Sequence, residues 1–97
     1  MSPKRNEPVI VERVQTGVRM EKRMLKVLKA LADSLDLSLG DLLEGIVLHA
    51  FAGKAPFSKP TLAKVAELRR VFGLTLAASD AHHLKEKPRA RAARPVR

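Results

Sequence analysis

The chain has 97 residues, a formal net charge of +9 at pH 7, no cysteine and only three aromatic residues. This length supports one small domain with tails, and its core must be aliphatic. The lack of cysteine excludes disulfides and thiolate zinc sites, and no run approaches the roughly eighteen apolar residues of a membrane span.

The positive charge is concentrated at the two ends of the chain. Residues 1–26 hold seven Lys/Arg and three Asp/Glu (+4), residues 27–86 hold seven of each (0), and residues 87–97 hold five basic residues and no acidic one (+5). A polyanion is the partner that this asymmetry favours, although basic tails also simply aid solubility. The N-terminal residues lack the apolar run of a signal peptide, so we expect a cytoplasmic protein.

The first predicted elements are an arm and a strand. Residues 1–12 are predicted to be a flexible basic arm, since Pro3 and Pro8 oppose regular structure. Apolar and polar residues then alternate from Val14 to Met20, a period of two that predicts a short, half-buried strand. Because one strand is not stable alone, we expect it to pair with the same strand of a second copy.

Two amphipathic helices are predicted after the strand. The first begins at Glu21 and ends near Leu35, with apolar residues every three or four positions. Ser38 is predicted to cap the second helix, where Asp41 resembles the carboxylate of a capping box. The second helix has a wider apolar face, and Gly53 is its predicted stop.

A helical extension is predicted over residues 54–86. Its main helix opens at Pro60 and ends at Gly73, and a further short helix is expected from Ser79 to Glu86. Residues 87–97 are rich in Arg, Ala and Pro and are predicted to be a disordered basic tail.

The order of the elements within residues 13–53 is the strongest functional signal. It runs from the strand QTGVRM through the first helix and the turn LDLS to a helix that contains LGDLLEGIV. This order resembles the ribbon–helix–helix family of dimeric DNA-binding proteins, the MetJ/Arc/CopG class. The resemblance covers under half of the chain. It implies a mostly α fold with one short β-strand, an intertwined homodimer with a two-stranded antiparallel ribbon, and a C-terminal helical extension.

The resemblance also implies which residues contact DNA bases. In that family the paired strands enter the major groove, whose width fits a two-stranded ribbon. Alternation places Gln15, Gly17 and Arg19 on the outward face of the strand. Arg19 can donate bidentately to guanine and Gln15 to adenine. The alternative is an exposed polar strand face that contacts no DNA.

Phosphate contacts are predicted at the start of the second helix, where free backbone amides favour anions. By resemblance, the residues of this clamp are Ser38, Leu39 and Gly40. Four basic residues are predicted to add phosphate contacts: Lys4, Arg5, Arg13 and Lys22.

The inward face of the strand and the two helices is predicted to form a dimer core. Its members are Val14, Val18, Met20, Leu28, Leu31, Leu43, Ile46 and Val47. No catalytic, metal or cofactor site is predicted. Adjacent histidines such as His82 and His83 point about 100° apart on a helix, and no nucleophile elbow or Gly-rich phosphate loop is present.

The leading hypothesis is a dimeric, sequence-specific double-stranded DNA-binding protein that represses transcription and associates with the nucleoid, with higher-order assembly on DNA possible. One alternative is an antitoxin whose residues 54–86 mask a toxin. Others are an accessory protein of plasmid partition or conjugation, and a small helical module whose basic ends meet RNA or an acidic protein.

Overall fold

The computed structural model describes residues 8–88, which form three α-helices and one short 3₁₀ turn. Helix α1 spans Lys22–Ser34, α2 spans Leu39–Phe51 and α3 spans Lys59–Phe72. The 3₁₀ turn is Ala78–Asp80. The described part of the chain is therefore all-α, and none of its helices has the length and apolar character needed to cross a bilayer.

The predicted β-strand is absent from residues 8–88. The N-terminal segment, residues 8–20, has no regular secondary structure and makes no backbone hydrogen bond within the described part of the chain. Val14 and Val18, predicted to face a core, are 86% and 75% exposed. The predicted fold class, a mostly α ribbon–helix–helix chain with one β-strand and a two-stranded ribbon, is therefore wrong. A two-residue period marks a strand only where a second strand takes up its backbone groups, and residues 8–88 contain no such strand.

The ends of α1 and α2 follow the chemistry of their caps. The Glu21 carboxylate accepts a hydrogen bond from the Met24 amide at 2.8 Å, so the helix begins one residue later than predicted. The Ser38 hydroxyl accepts one from the Asp41 amide at 3.1 Å, which confirms Ser38 as the N-cap of α2. The Asp41 carboxylate accepts a hydrogen bond from Arg13 at 3.4 Å, a contact that the sequence did not predict.

Helix α3 begins and ends near the predicted residues. The Ser58 hydroxyl accepts a hydrogen bond from the Thr61 amide at 3.4 Å, and Pro60 lies in the first turn, where it displaces no helical hydrogen bond. Gly73 ends the helix in the left-handed conformation, with φ of 67°, which glycine adopts without steric cost.

The further helix predicted from Ser79 to Glu86 is wrong. Only the 3₁₀ turn forms, and residues 81–88 have no helix. The Asp80 carboxylate accepts from the Ala77 amide at 2.8 Å, and His82 has a φ of 69°. A left-handed residue at this point interrupts any helix that Ser79 might start.

Helix α1 lies at the centre of the core because both other helices pack against it. It contributes the buried residues Val27, Leu31 and Ala32, and Leu31 is only 1% exposed. The remaining buried residues are Leu42 from α2 and Leu74, which follows α3. Partly buried side chains surround this centre: Leu28, Ile46, Phe57, Val65 and Leu68. The extension over residues 54–86 thus shares its core with the first two helices.

Two arginine side chains donate hydrogen bonds to the backbone of the chain that follows α3. The Arg23 side chain donates to the carbonyl of Gly73 at 2.9 Å, and the Arg69 side chain donates to the carbonyl of Leu76 at 2.7 Å. Charged donors to carbonyl groups make stronger hydrogen bonds than neutral ones. They hold Leu74 against the core, so Arg23 has a structural contact rather than a free surface charge.

Replacing Leu31 by Ala should lower the free energy of unfolding by about 2–5 kcal/mol, because it opens a cavity where all helices meet. Urea unfolding followed by circular dichroism measures this. Val71→Ala on α3 is the matched control, since Val71 is 67% exposed, and its effect should stay within about 0.5 kcal/mol. Equal losses for both variants would contradict the position of the core.

Candidate nucleic-acid interface

The three predicted base-contacting residues lie on the exposed N-terminal segment. Gln15, Gly17 and Arg19 are all exposed, and a Cβ added at Gly17 would meet no atom within 4 Å. Packing inside this chain therefore does not require glycine at position 17. The side chains along this segment are open to a partner molecule.

Arg13 attaches the N-terminal segment to α2. Its guanidinium donates to both carboxylate oxygens of Glu44, at 2.8 and 2.7 Å, and to Asp41 at 3.4 Å. The hydrogen bond to Glu44 raises the pKa of Arg13, and the same bond lowers the pKa of Glu44. All three side chains are about half exposed or more, so solvent screens the pairs and each stabilises the fold only weakly.

The first turn of α2 has the free amides that anion binding needs. The first helical hydrogen bond runs from the Leu42 amide to the Ser38 carbonyl at 3.0 Å. The amides of Leu39 and Gly40 precede it and have no acceptor among the described residues. A Cβ added at Gly40 would meet only the Ser38 hydroxyl, at 4.0 Å, so this turn is open to approach.

Arg13 therefore contacts Asp41, the residue that directly follows the predicted clamp residues 38–40 at the start of α2. Both were predicted to contact phosphate, although they lie far apart in the sequence. The same place also holds the carboxylates of Asp41 and Glu44, whose two negative charges exceed the single charge of Arg13. Any anion bound here must rely on the backbone amides as well as on Arg13.

Arg19 is held by the C-terminal segment, which we define as residues 81–88. Its Nε donates to one oxygen of Glu86 at 3.2 Å, and its Nη2 donates to the other. The hydrogen bond to Glu86 raises the pKa of Arg19. The pair joins residues 67 positions apart, so no local sequence pattern predicts it.

The other predicted phosphate contacts are distributed over the chain. Lys22 is exposed in the first turn of α1. Lys4 and Arg5 lie outside the described residues.

The residues of the predicted dimer core divide into three groups within a single chain. Leu31 is buried, and Leu28 and Ile46 pack against it. Met20 and Leu43 are half-buried. The exposed members are Val14, Val18 and Val47.

Helix α2 leaves an apolar surface uncovered, which we call the α2 apolar face and define as Val47, Leu48 and Phe51. These side chains are exposed by 44%, 66% and 83%. Leu48 and Phe51 were not among the predicted dimer-core residues. The composition of α2 could have indicated them. This helix is apolar nearly all round, so it has more apolar surface than one neighbouring helix can cover.

No protein-family model, curated protein or solved structure matches the chain. Within residues 8–88, no group of three or more metal-ligating side chains is placed to hold an ion. His82 and His83 lie outside the helices.

Replacing Arg13 by Gln should raise the pKa of Glu44 toward the ordinary glutamate value, which carboxyl ¹³C NMR titration measures. A lowered carboxylate pKa means that the Arg13–Glu44 pair stabilises the fold above the ordinary pKa and loses its effect as pH falls through the lowered value.

Glu21 is the internal control for this titration. Its pKa is lowered mainly by the hydrogen bond from the Met24 amide, with Arg23 adding to the effect, so Arg13→Gln should leave it unchanged. An unaltered Glu44 pKa in the variant would show that Arg13 does not lie against α2.

Proposed function

We propose that this chain is a sequence-specific double-stranded DNA-binding protein that acts as a homodimer and represses transcription in the cytoplasm. The observation that carries the proposal is the meeting of the exposed N-terminal segment with the first turn of α2. Gln15 and Arg19 on the segment supply donors for base edges. Arg13 contacts Asp41 in the first turn of α2, whose free amides suit a phosphate. Recognition by these side chains requires no β-strand, since the segment that carries them is irregular and exposed.

Base reading is the part of the proposal that depends on side-chain chemistry. A guanidinium presents two parallel N–H donors that match O6 and N7 of guanine, and a carboxamide matches N6 and N7 of adenine. Arg19 and Gln15 are both exposed, so neither must leave a packed core to reach DNA. Each good bidentate contact adds about 1–3 kcal/mol of discrimination against a wrong base.

Backbone binding would be supplied by the charged ends of the chain. Residues 1–26 and 87–97 carry the whole excess of nine positive charges, while residues 27–86 are neutral. Such charges bind phosphates without regard to sequence and make affinity fall with salt. The neutral helical body would hold the base-reading residues in place, and the ends would add affinity.

The α2 apolar face supports the homodimer. Phe51 and Val47 are one helical turn apart, and Leu48 lies between them. Large apolar side chains that are exposed side by side are uncommon on the surface of monomers, and such patches mark contact surfaces. The part of α2 from Ile46 to Phe51 carries no Lys, Arg, Asp or Glu, so a second copy can approach it without burying an unpaired formal charge.

Selection of bound duplexes from a random DNA pool should enrich a short motif with wild-type protein. Arg19→Lys keeps the charge but loses the two-donor fork, so we expect it to relax the preference at one base pair and cost about 1–3 kcal/mol in affinity for the selected site. Fluorescence anisotropy with the selected duplex measures the affinity.

Lys64→Ala on α3 is the control, since it removes one positive charge far along the chain from the N-terminal segment. It should leave the selected motif unchanged. Binding without any enriched motif, weakening only as salt rises, would reject sequence-specific recognition.

Phe51→Ser should shift the protein toward monomer in sedimentation equilibrium, because it removes the largest apolar group of the α2 apolar face. Since Phe51 is 83% exposed within one chain, the helical content of the variant should equal that of the wild-type protein.

Leu62→Ser is the matched apolar-to-polar control on α3, where Leu62 is 51% exposed. It should leave the association constant unchanged. A wild-type protein that sediments as a monomer at all concentrations would exclude the homodimer.

A further inference from the structure

The Glu86 carboxylate occupies the hydrogen-bonding edge of Arg19. Arg19 uses Nε and Nη2 to meet the two oxygens of Glu86, a bidentate pairing of guanidinium with carboxylate. Guanine and phosphate are bound by the same kind of fork. One guanidinium edge cannot serve Glu86 and a nucleic acid at once.

We infer that the C-terminal segment is an autoinhibitory clasp, in which Glu86 competes with DNA for Arg19. This inference rests on the proposed function and adds a regulation to it. In the free protein Glu86 holds Arg19, and binding to a base edge requires that pair to open. Only molecules in which Glu86 has released Arg19 can bind DNA through it. The clasp thereby lowers the apparent affinity for DNA, more strongly the larger the fraction of molecules in which Glu86 occupies Arg19.

The C-terminal segment is attached loosely enough to open. All residues from 81 to 88 are exposed. Within the described part of the chain, the hydrogen bonds of this segment beyond His83 are those that Glu86 accepts from Arg19. Both partners of the pair are largely exposed, and such ion pairs are weak.

The packing beneath the segment is also incomplete. A partly open cavity of about 250 Å³ lies between α1, α3 and the chain that follows α3. Its apolar lining includes Met24, Leu74, Leu76 and Leu84. Leu84 is 50% exposed, so the segment is only partly packed against the residues beneath it.

The position of Glu86 in the sequence couples the clasp to DNA. Glu86 directly precedes residues 87–97, which hold five basic residues and no acidic one. DNA phosphates that bind this stretch lie next to Glu86 along the chain. The same polyanion can therefore compete with Glu86 for Arg19 while it is bound close by.

Glu86→Gln in the full chain tests the clasp. It keeps the size of the side chain and removes the charge, and the exposed position leaves the fold intact. We expect the selected duplex to bind about two- to fivefold more tightly, the range that an exposed ion pair allows.

Two further variants separate the clasp from a general charge effect. Glu12→Gln removes the same charge from the N-terminal segment without touching Glu86. Arg19→Ala combined with Glu86→Gln tests the coupling, because the gain from Glu86→Gln must disappear when Arg19 is absent. The Arg19 Nε–Hε resonance should also shift in Glu86→Gln without DNA.

The possible results distinguish failure of the clasp from failure of the proposed function. A gain that depends on Arg19 and exceeds that of Glu12→Gln supports the clasp. An equal gain in the Arg19→Ala background, or no gain while the wild-type chain binds DNA, overturns the clasp and leaves the proposed function standing. If neither wild type nor Glu86→Gln binds any duplex while the Arg19 resonance shifts as expected, the ion pair exists but the proposed function fails and the clasp fails with it.

Discussion

The packing of α1 between the other two helices is the constraint on which the rest of this structure depends. Val27, Leu31 and Ala32 lie within two turns of α1 and supply most of the buried side chains of residues 8–88. Full burial of each large apolar side chain stabilises the fold by about 1.5–3 kcal/mol. Within residues 8–88, α1 is the only helix that packs against α2, so α2 is covered by a helix on one side only. The α2 apolar face is the direct consequence, since α2 carries more apolar residues than α1 can cover.

The electrostatic contacts of the N-terminal segment follow a different rule from the core. The segment makes no backbone hydrogen bonds with the described residues, and its two arginines join it to α2 and to the C-terminal segment. Arg13 contacts Asp41 and Glu44, and Arg19 contacts Glu86. These pairs orient the segment without locking it, because exposed ion pairs contribute about 0–1 kcal/mol. A segment held in this way can exchange carboxylates for another anion at little cost in stability.

Salt acts on this arrangement in two opposing directions. It screens the pairs of Arg13 and Arg19 with carboxylates, which frees the arginines, and it also weakens any attraction to phosphate. Each neutralised phosphate contributes close to one unit to the slope of log affinity against log salt. With positive charge at both ends of the chain, several phosphate contacts would outweigh the few exposed pairs. The net effect of salt on the proposed DNA complex should therefore be a loss of affinity.

Local chemistry explains the parts of the fold that were predictable from sequence. The stripe of apolar residues on α1, the Ser38 cap and the Gly73 stop each depend on residues within one or two helical turns, and the structure confirms them. The alternation from Val14 to Met20 is equally local, but a strand requires a partner, and no local pattern supplies one. The short helix expected from Ser79 does not form for a different reason: the chain takes a left-handed conformation at His82, which the capping pattern at Ser79 does not reveal.

The sequence by itself determined where the three α-helices lie, where the charge is concentrated and which side chains carry hydrogen-bond donors or positive charge. Only the tertiary structure decided that α3 shares the core, that Arg13 lies on α2, and that Glu86 reaches Arg19. These contacts join residues 31 and 67 positions apart in the two ion pairs. The path of the chain around α1 brings such residues together, and their identities alone do not reveal which of the many possible pairs will form.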